Sequence, residues 1–407
     1  MRIFANLFLI LFLADGALST VDELFSLLSV QDLSGIRNAA AGLVVLLSAA
    51  IYLCLGIDRR LPKQVFLPAV AFIFWSLTGT WLFPTFTAEG YGLLMAGSQL
   101  SLALILLRQV RVLEGEPLLA EARFRAPLFG ARNTLVFCGV NLVVLPPLLV
   151  LLLLSSAARQ IEEASAGFIR LAPDGLYMTE RIYRKGDKSV RLAGMIHFGE
   201  KEYYESLAAS VPSPRTVVLA EGVSDAANRL PDRMGYGKMA GILGLTPQDR
   251  KLFRGRPIDE EDLGDPSAGD AASPDILRAD VDMSTFRPAT IAFLAEAGRE
   301  MARNDSLTGA LLAMNAWARR NMTPETEKVI LEDILHGRNR VLLGYLDRVL
   351  PRYDTVVIPW GALHMAGIEQ GVLARGFVLQ EERERRSIGF AKLLAGGERP
   401  QRKDGQP

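Results

Sequence analysis

The sequence predicts a membrane α-helical bundle of about four spans, followed by a soluble α/β domain with a mixed or mainly parallel sheet. Three observations carry this expectation. Residues 1–158 hold 10 basic and 9 acidic side chains, 12% of that stretch, whereas residues 159–407 hold 35 and 36, or 29%. The windows 38–57, 64–88, 90–107 and 133–158 contain no charged residue at all. Each approaches or exceeds the roughly 18–20 apolar residues needed to cross a bilayer core. After them, short β-branched runs alternate with stretches of helical periodicity, the pattern of a sheet with helices on its faces.

Whole-chain averages hide this division. The 407 residues balance 45 Lys+Arg against 45 Asp+Glu, which excludes the basic excess of a nucleic-acid partner. Two cysteines exclude a disulfide scaffold and a Cys-rich zinc site. Cys54 and Cys138 fall in the first and fourth windows, where a thiol reads as a small hydrophobe.

Residues 1–36 form a separate N-terminal segment. Arg2 precedes the charge-free stretch Ile3–Ala14 and then Gly16-Ala17-Leu18-Ser19. That stretch is too short to span and reads either as a signal peptide or as an interfacial helix continuing through Val21–Val30. The membrane domain is expected over 37–158. Pro146-Pro147 should kink or interrupt its last span. Arg59, Arg60 and Lys63 follow the first span, and Arg108, Arg111, Arg123, Arg125 and Arg132 follow the third. Basic loops stay cytoplasmic, so a multi-pass arrangement in the lipid bilayer puts the N-terminus and everything after Arg159 outside. The four windows hold no Asp, Glu, Lys, Arg or His, which argues against transport through them.

Residues 159–394 form the soluble domain. Leu176–Arg184 and Ser189–Phe198 read as strands joined at Lys185-Gly186-Asp187, and Glu200–Ser210 as a short helix. Arg215–Glu221 and Asp354–Pro359 are apolar runs typical of strands buried on both faces. Lys238–Leu243 and Pro247–Leu252 read as helices, and Gly255–Pro274 as an exposed loop. Helices are expected at Pro288–Asn304, Ser306–Asn321, Pro324–Val349 with Thr323 as N-cap, and near Ala366–Arg375. The charged cluster Glu381–Arg386 reads as a solvated helix face, and 395–407 as a disordered tail.

Two of the three histidines share one pattern. Gly194-Met195-Ile196-His197 ends one strand, and Gly361-Ala362-Leu363-His364 follows another. Ligands bind beyond the carboxyl ends of strands in open α/β sheets, and a glycine lets the backbone turn or a ligand approach. Glu221 closes a third strand. Two imidazoles and a carboxylate are a familiar ligand set for a catalytic divalent metal that activates water. Each residue also has a plainer reading: a satisfied strand-end histidine, and a solvated or helix-capping acid. Glu200 reads as a general base or a first-turn helix acid, Asp282 as a ligand or an N-cap, and His336 as solvent-facing. No P-loop, H-E-x-x-H or G-x-S-x-G pattern is present.

Leu192–His197, Val217–Glu221 and Gly361–His364 with Gly367 together resemble the TraB/PrgY–GumN–TIKI superfamily, which has two G-x-x-H motifs with an acidic residue between them. Ala240–Leu245 with Gln248, Asp280-Val281-Asp282 and Arg338-Asn339 also fit, so the resemblance covers about 175–380. It implies a fold akin to erythromycin esterase and ChaN-type proteins. It also implies a metal-dependent peptidase using manganese or cobalt, with zinc as a further option. His197, His364 and Glu221 would hold the metal, Glu221 and Arg338 would be catalytic, and Gly194, Gly361, Asp282 and Asn339 would support them. The expected function is a membrane-anchored hydrolase acting on extracytoplasmic peptide or protein substrates. The alternative is a haem- or peptide-sequestering protein that uses the same two histidines.

Overall fold

The computed structural model describes residues 1–28, 33–82, 91–212, 215–227, 229, 245–247, 252–264 and 273–391. It divides into two compact units, Met1–Ala157 and Ala158–Pro407.

The first unit is helical: α1 (Arg2–Leu27), α2 (Ser34–Ile57), α3 (Lys63–Leu82), α4 (Tyr91–Glu114) and α5 (Ala131–Ala164). Four helices are long and apolar enough to cross a membrane among the described residues: α1, the Gly35–Ile57 part of α2, α4 and α5. α1 is the addition to the expected spans. The window at 64–88 falls on α3, a 20-residue helix whose apolar stretch is Lys63–Gly79 among the described residues, and positions 83–88 lie outside them. The stretch Ile3–Ala14, too short to span by itself, belongs to one 26-residue helix, the continuing helix of the second reading, and that helix is long enough to cross. A search for charge-free runs stops at Asp15 and Asp22, but both acids are buried with partners on other helices, so the helix continues through them. Ala5, Phe8 and Phe12 of α1 are fully buried. Phe8 lies 6.0 Å from Phe12 and 6.0 Å from Phe66, ring to ring.

The N-terminus also sits at a different end of the bundle from the one expected. Asn6 and Leu119 exchange hydrogen bonds at 3.2 and 3.0 Å, and Arg2 lies 3.5 Å from Glu121. Arg60 donates to the Phe124 carbonyl at 2.8 Å. The start of α1 therefore shares one end with the two Arg-bearing connections. A fifth helix in front of α2 produces this reversal. α5 runs 34 residues through Pro146-Pro147 without interruption. It leaves Leu142, Val143 and Leu153 more than two-thirds exposed, as a lipid-facing surface requires.

In the second unit, the sheet order is β1-β2-β3-β9-β5-β8-β7, with β10 on the other edge of β2. The strands are β1 (Ile169–Ala172), β2 (Gly175–Lys185), β3 (Lys188–Met195), β5 (Thr216–Ala220), β7 (Arg256–Ile258), β8 (Asp275–Arg278), β9 (Thr355–Gly361) and β10 (Val378–Gly389). A separate pair joins β4 (Phe198–Gly199) to β6 (Thr246–Pro247). β3, β9, β5, β8 and β7 run parallel, and the β2–β3 hairpin turns at Gly186 with φ +60°. The sheet is mixed and mostly parallel.

Helices α6 (Lys201–Ala209), α7 (Pro288–Arg303), α8 (Leu307–Asn321), α9 (Pro324–Leu331), α10 (Arg338–Val349) and α11 (Ala362–Ala374) accompany it. Thr323 caps α9 through its hydroxyl, as its position before Pro324 suggests. The predicted helix 324–349 is continuous but includes a π-helical turn at Glu332–Gly337.

Two readings of the second half are corrected. Gly255–Pro274 is not all loop: β7 extends the parallel sheet beside β8. Glu381–Arg386 is strand, not helix. Its mixed Glu and Arg side chains meet opposite charges on β2 and on β1 beyond it: Arg170–Glu384 at 2.5 Å, Arg181–Glu382 at 2.6 Å and Arg385–Glu180 at 3.1 Å. Residues 238–243, Gln248 and 395–407 lie outside the described residues.

Candidate functional site

Parallel register brings the carboxyl ends of the strands level. Met195 pairs with Gly361, and Ala220 with Arg278. The next residues along these chains are Ile196 and His197, Ala362 to His364 in the first turn of α11, Glu221, and Ala279 with Asp280. Arg338 and Asn339 open α10.

Arg338 is the hub. Its Nε and Nη2 clasp Asp280 at 2.9 and 2.7 Å, and Nη2 also reaches Glu221 Oε1 at 2.8 Å. Nη1 donates to the Ile334 carbonyl at 3.3 Å and faces His364 Nε2 at 3.1 Å. A guanidinium has five N–H donors, and here all five have acceptors. The guanidinium also lies 5.1 Å from the centre of the Trp360 ring. Burial disfavours its charge, but Asp280 and Glu221 outweigh burial and hold it above the usual arginine range.

Asn339 fixes His364. Its Oδ1 lies 2.7 Å from Nδ1, and its Nδ2 donates to the His364 carbonyl at 3.2 Å. An amide oxygen accepts, so Nδ1 carries the proton and Nε2 presents a lone pair to Arg338. Burial and then the Arg338 charge push the imidazole down to about 4, so it is neutral near pH 7. Gly367 makes room for this contact, since a Cβ there would stand 2.6 Å from Asn339 Nδ2.

Glu221 is held at both oxygens. Oε2 accepts from the Gly361 N–H at 2.7 Å and Oε1 from Arg338. An ionised carboxylate offers about four acceptor positions, so about half of its capacity is left over.

Among the residues the sequence singled out, Glu221, Arg338, Asn339, Gly361 and His364 come together. His364 Nε2 lies 3.8 Å from Glu221 Oε1. His197 is exposed in the turn after β3, close enough for its charge to bear on His364. Gly194 packs within the sheet: a Cβ there would meet the Phe168 and Thr179 carbonyls at 3.3 Å. Asp282 caps a short 3-10 turn, accepting from Ser224 Oγ at 2.6 Å and from Ser284 N at 2.9 Å. The bond from Ser224, then those from Ser284 and Ala226, hold its carboxyl well below the usual range. Glu200 is a latch rather than a helix acid, because its Oε1 accepts from the Gly389 N–H at 2.8 Å. His336 is exposed.

Asp280 stood in the Asp280-Val281-Asp282 match, but sequence reasoning assigned a role only to Asp282. Asp280 stands where β8 ends, two residues past Arg278, the same strand-end signal that marked Glu221.

A metal fits this arrangement poorly. No group of three His, Cys, Asp or Glu side chains is placed to hold an ion among the described residues. The imidazole nitrogen and carboxylate oxygen that would ligate one both face Arg338. The guanidinium supplies the positive charge at the centre of the cluster. Beside it, Val281, Phe286, Glu332, Asp333, Arg340 and Val341 line an open cleft of about 400 Å³, together with Thr285 and Gly337. Val281 follows Asp280, and Gly337 precedes Arg338.

No family model, curated protein or solved structure matches the chain.

Proposed function

We propose that the second unit is a hydrolase domain acting on peptides, carried on a membrane-spanning helix bundle and facing away from the cytoplasm. One observation carries the reading: Glu221 accepts at a strand end from the Gly361 N–H and from Arg338, with acceptor capacity to spare, in a cluster whose chain neighbours Val281 and Gly337 line an open cleft. A carboxylate so placed takes a proton from a water attacking a carbonyl. Arg338 and His364 position it; with its donors filled, Arg338 is a positioning residue rather than an oxyanion donor. The cleft's mix of apolar and charged lining suits a peptide chain. The motif resemblance supports the reaction class, and the two basic connections support the orientation. No step is assigned to a metal, because the donors do not converge on one.

The test uses the full chain in lipid nanodiscs with a quenched peptide library, before and after chelation and with added Mn²⁺, Co²⁺ or Zn²⁺. Turnover that survives chelation and falls about 10²–10⁴-fold in Glu221→Gln supports the proposal. Turnover unchanged by Glu221→Gln, or a Soret band that disappears in His364→Ala, overturns it.

A further inference from the structure

The helix bundle buries a carboxylate near the middle of its first helix. Asp15 is 4% exposed. Its Oδ2 accepts from Gln99 Nε2 of α4 at 2.8 Å, and that nitrogen also reaches the Phe12 carbonyl at 3.2 Å. Its Oδ1 is buried with no hydrogen-bond partner. α1 and α4 are tight here, since a Cβ on Gly16 would stand 3.0 Å from the Leu100 nitrogen.

Ser19 and Asp22 follow Asp15 at helical spacing and are buried on the same face. Asp22 is compensated differently. It accepts from the Leu33 N–H at 3.0 Å and from Arg37 at 3.0 Å, while Glu23 takes Arg37 at 2.7 Å. The charged groups around Asp15 among the described residues are thus Asp22 and Glu23 on α1 and Arg37 on α2. α4 presents only an amide.

Both α1 and α4 are long and apolar enough to span. At about 1.5 Å per residue, Asp15 lies roughly 20 Å from either end of α1, near mid-bilayer depth. An ionised carboxylate there is costly, and a bare oxygen most of all. A metal ion is a poor remedy, because Gln99 turns its NH₂ donor toward the carboxyl. A proton on Oδ1 removes the charge and leaves Oδ2 free to accept from Gln99.

We propose that Asp15 is a proton-binding site inside the membrane bundle, held as a neutral acid by Gln99 and the α1–α4 contact. The proton adds to Oδ1 from water and leaves by the same bond. The Asp22–Glu23–Arg37 group, two turns along the same face, marks the polar end of its route.

Infrared difference spectra of the full chain in lipid nanodiscs at neutral pH test this. A carboxylic-acid carbonyl band, lost in Asp15→Asn and shifted in Gln99→Leu, is expected. Its absence from the unmodified chain overturns the proposal. Thermal midpoints give a second reading. Asp15→Asn exchanges one neutral group for another and should leave the midpoint in place, whereas Asp22→Asn, which breaks a pair with Arg37, should lower it. A fall in Asp15→Asn as large as that in Asp22→Asn overturns the proposal, as does an intact mass showing that the mature chain lacks Asp15.

Discussion

Arg338 faces the Nε2 of His364 across 3.1 Å and reaches Glu221 Oε1 at 2.8 Å. The two atoms that a metal would claim are therefore both turned toward the chain's own cation. Replacing the guanidinium by an apolar side chain of similar length strands two buried carboxylates. Arg338→Met should lose about 3–5 kcal/mol of stability in chemical unfolding. Adding Asp280→Asn should recover part of that loss. A single variant as stable as the parent would show that the cluster is not held by charge.

His364 makes stability depend on pH in a definite direction. Burial and Arg338 lower its folded-state value to about 4, against about 6.5 when unfolded. The unfolded chain then binds more protons between these limits, so this contribution is complete above about pH 6.5. It is lost as pH falls toward 4, with a slope of up to about 1.4 kcal/mol per pH unit. Unfolding measured across that range should show the slope, and His364→Gln should remove it. An imidazole NMR titration near 6.5 in the folded chain would refute the assignment.

The two glycines near His364 should behave differently. Gly367→Ala places a Cβ 2.6 Å from Asn339 Nδ2 and must displace the amide that fixes the imidazole. A loss of about 1–3 kcal/mol is expected, with a changed His364 ring signal. At Gly361 the nearest atom, Glu221 Oε2, is 3.5 Å away, so Gly361→Ala should cost well under that amount. Equal losses in the two variants would contradict these distances.

Ion pairs around β2 and β10 should divide by burial. Glu384 is 37% exposed beside Arg170, and its removal should cost less than about 1 kcal/mol. Glu180 is 2% exposed between Arg191 and Arg385, and Glu180→Ala should cost about 3–5 kcal/mol. Thermal unfolding of both variants reads the contrast directly.

Orientation is testable with single cysteines in a chain whose Cys54 and Cys138 are replaced by Ser. Asp187→Cys in the exposed β2–β3 turn should react with a membrane-impermeant maleimide in intact cells. Glu116→Cys, in the connection after α4, should react only after permeabilisation. The opposite pattern would reverse the proposed sidedness.

Strand ends were legible in the sequence because buried parallel strands are unbroken apolar runs, and a polar residue closing such a run stands out. Glu221 and His364 were found that way, and Arg338-Asn339 through the motif order. Asp280, though part of the motif match, received no role because β8 has only four residues, Asp275–Arg278, and begins and ends with charge. The continuing helix α1 was one of two readings of the N-terminal segment, and neither made it a span, because Asp15 and Asp22 count against one until Gln99 and Arg37 are seen beside them. β10 was misread because a mixed-sign cluster suits a helix face as well as a strand edge. Only the partner strand decides between them.

The Arg338 cluster joins residues 117, 58 and 26 positions apart along the chain. Its full set of contacts needs β5, β8 and β9 each beside its neighbour, so it rests on non-local pairing rather than on any one hairpin or helix. A chain stalled before β9 docks would leave Glu221 without the Gly361 N–H and Arg338 without His364, so the constellation is complete only when the whole parallel sheet is.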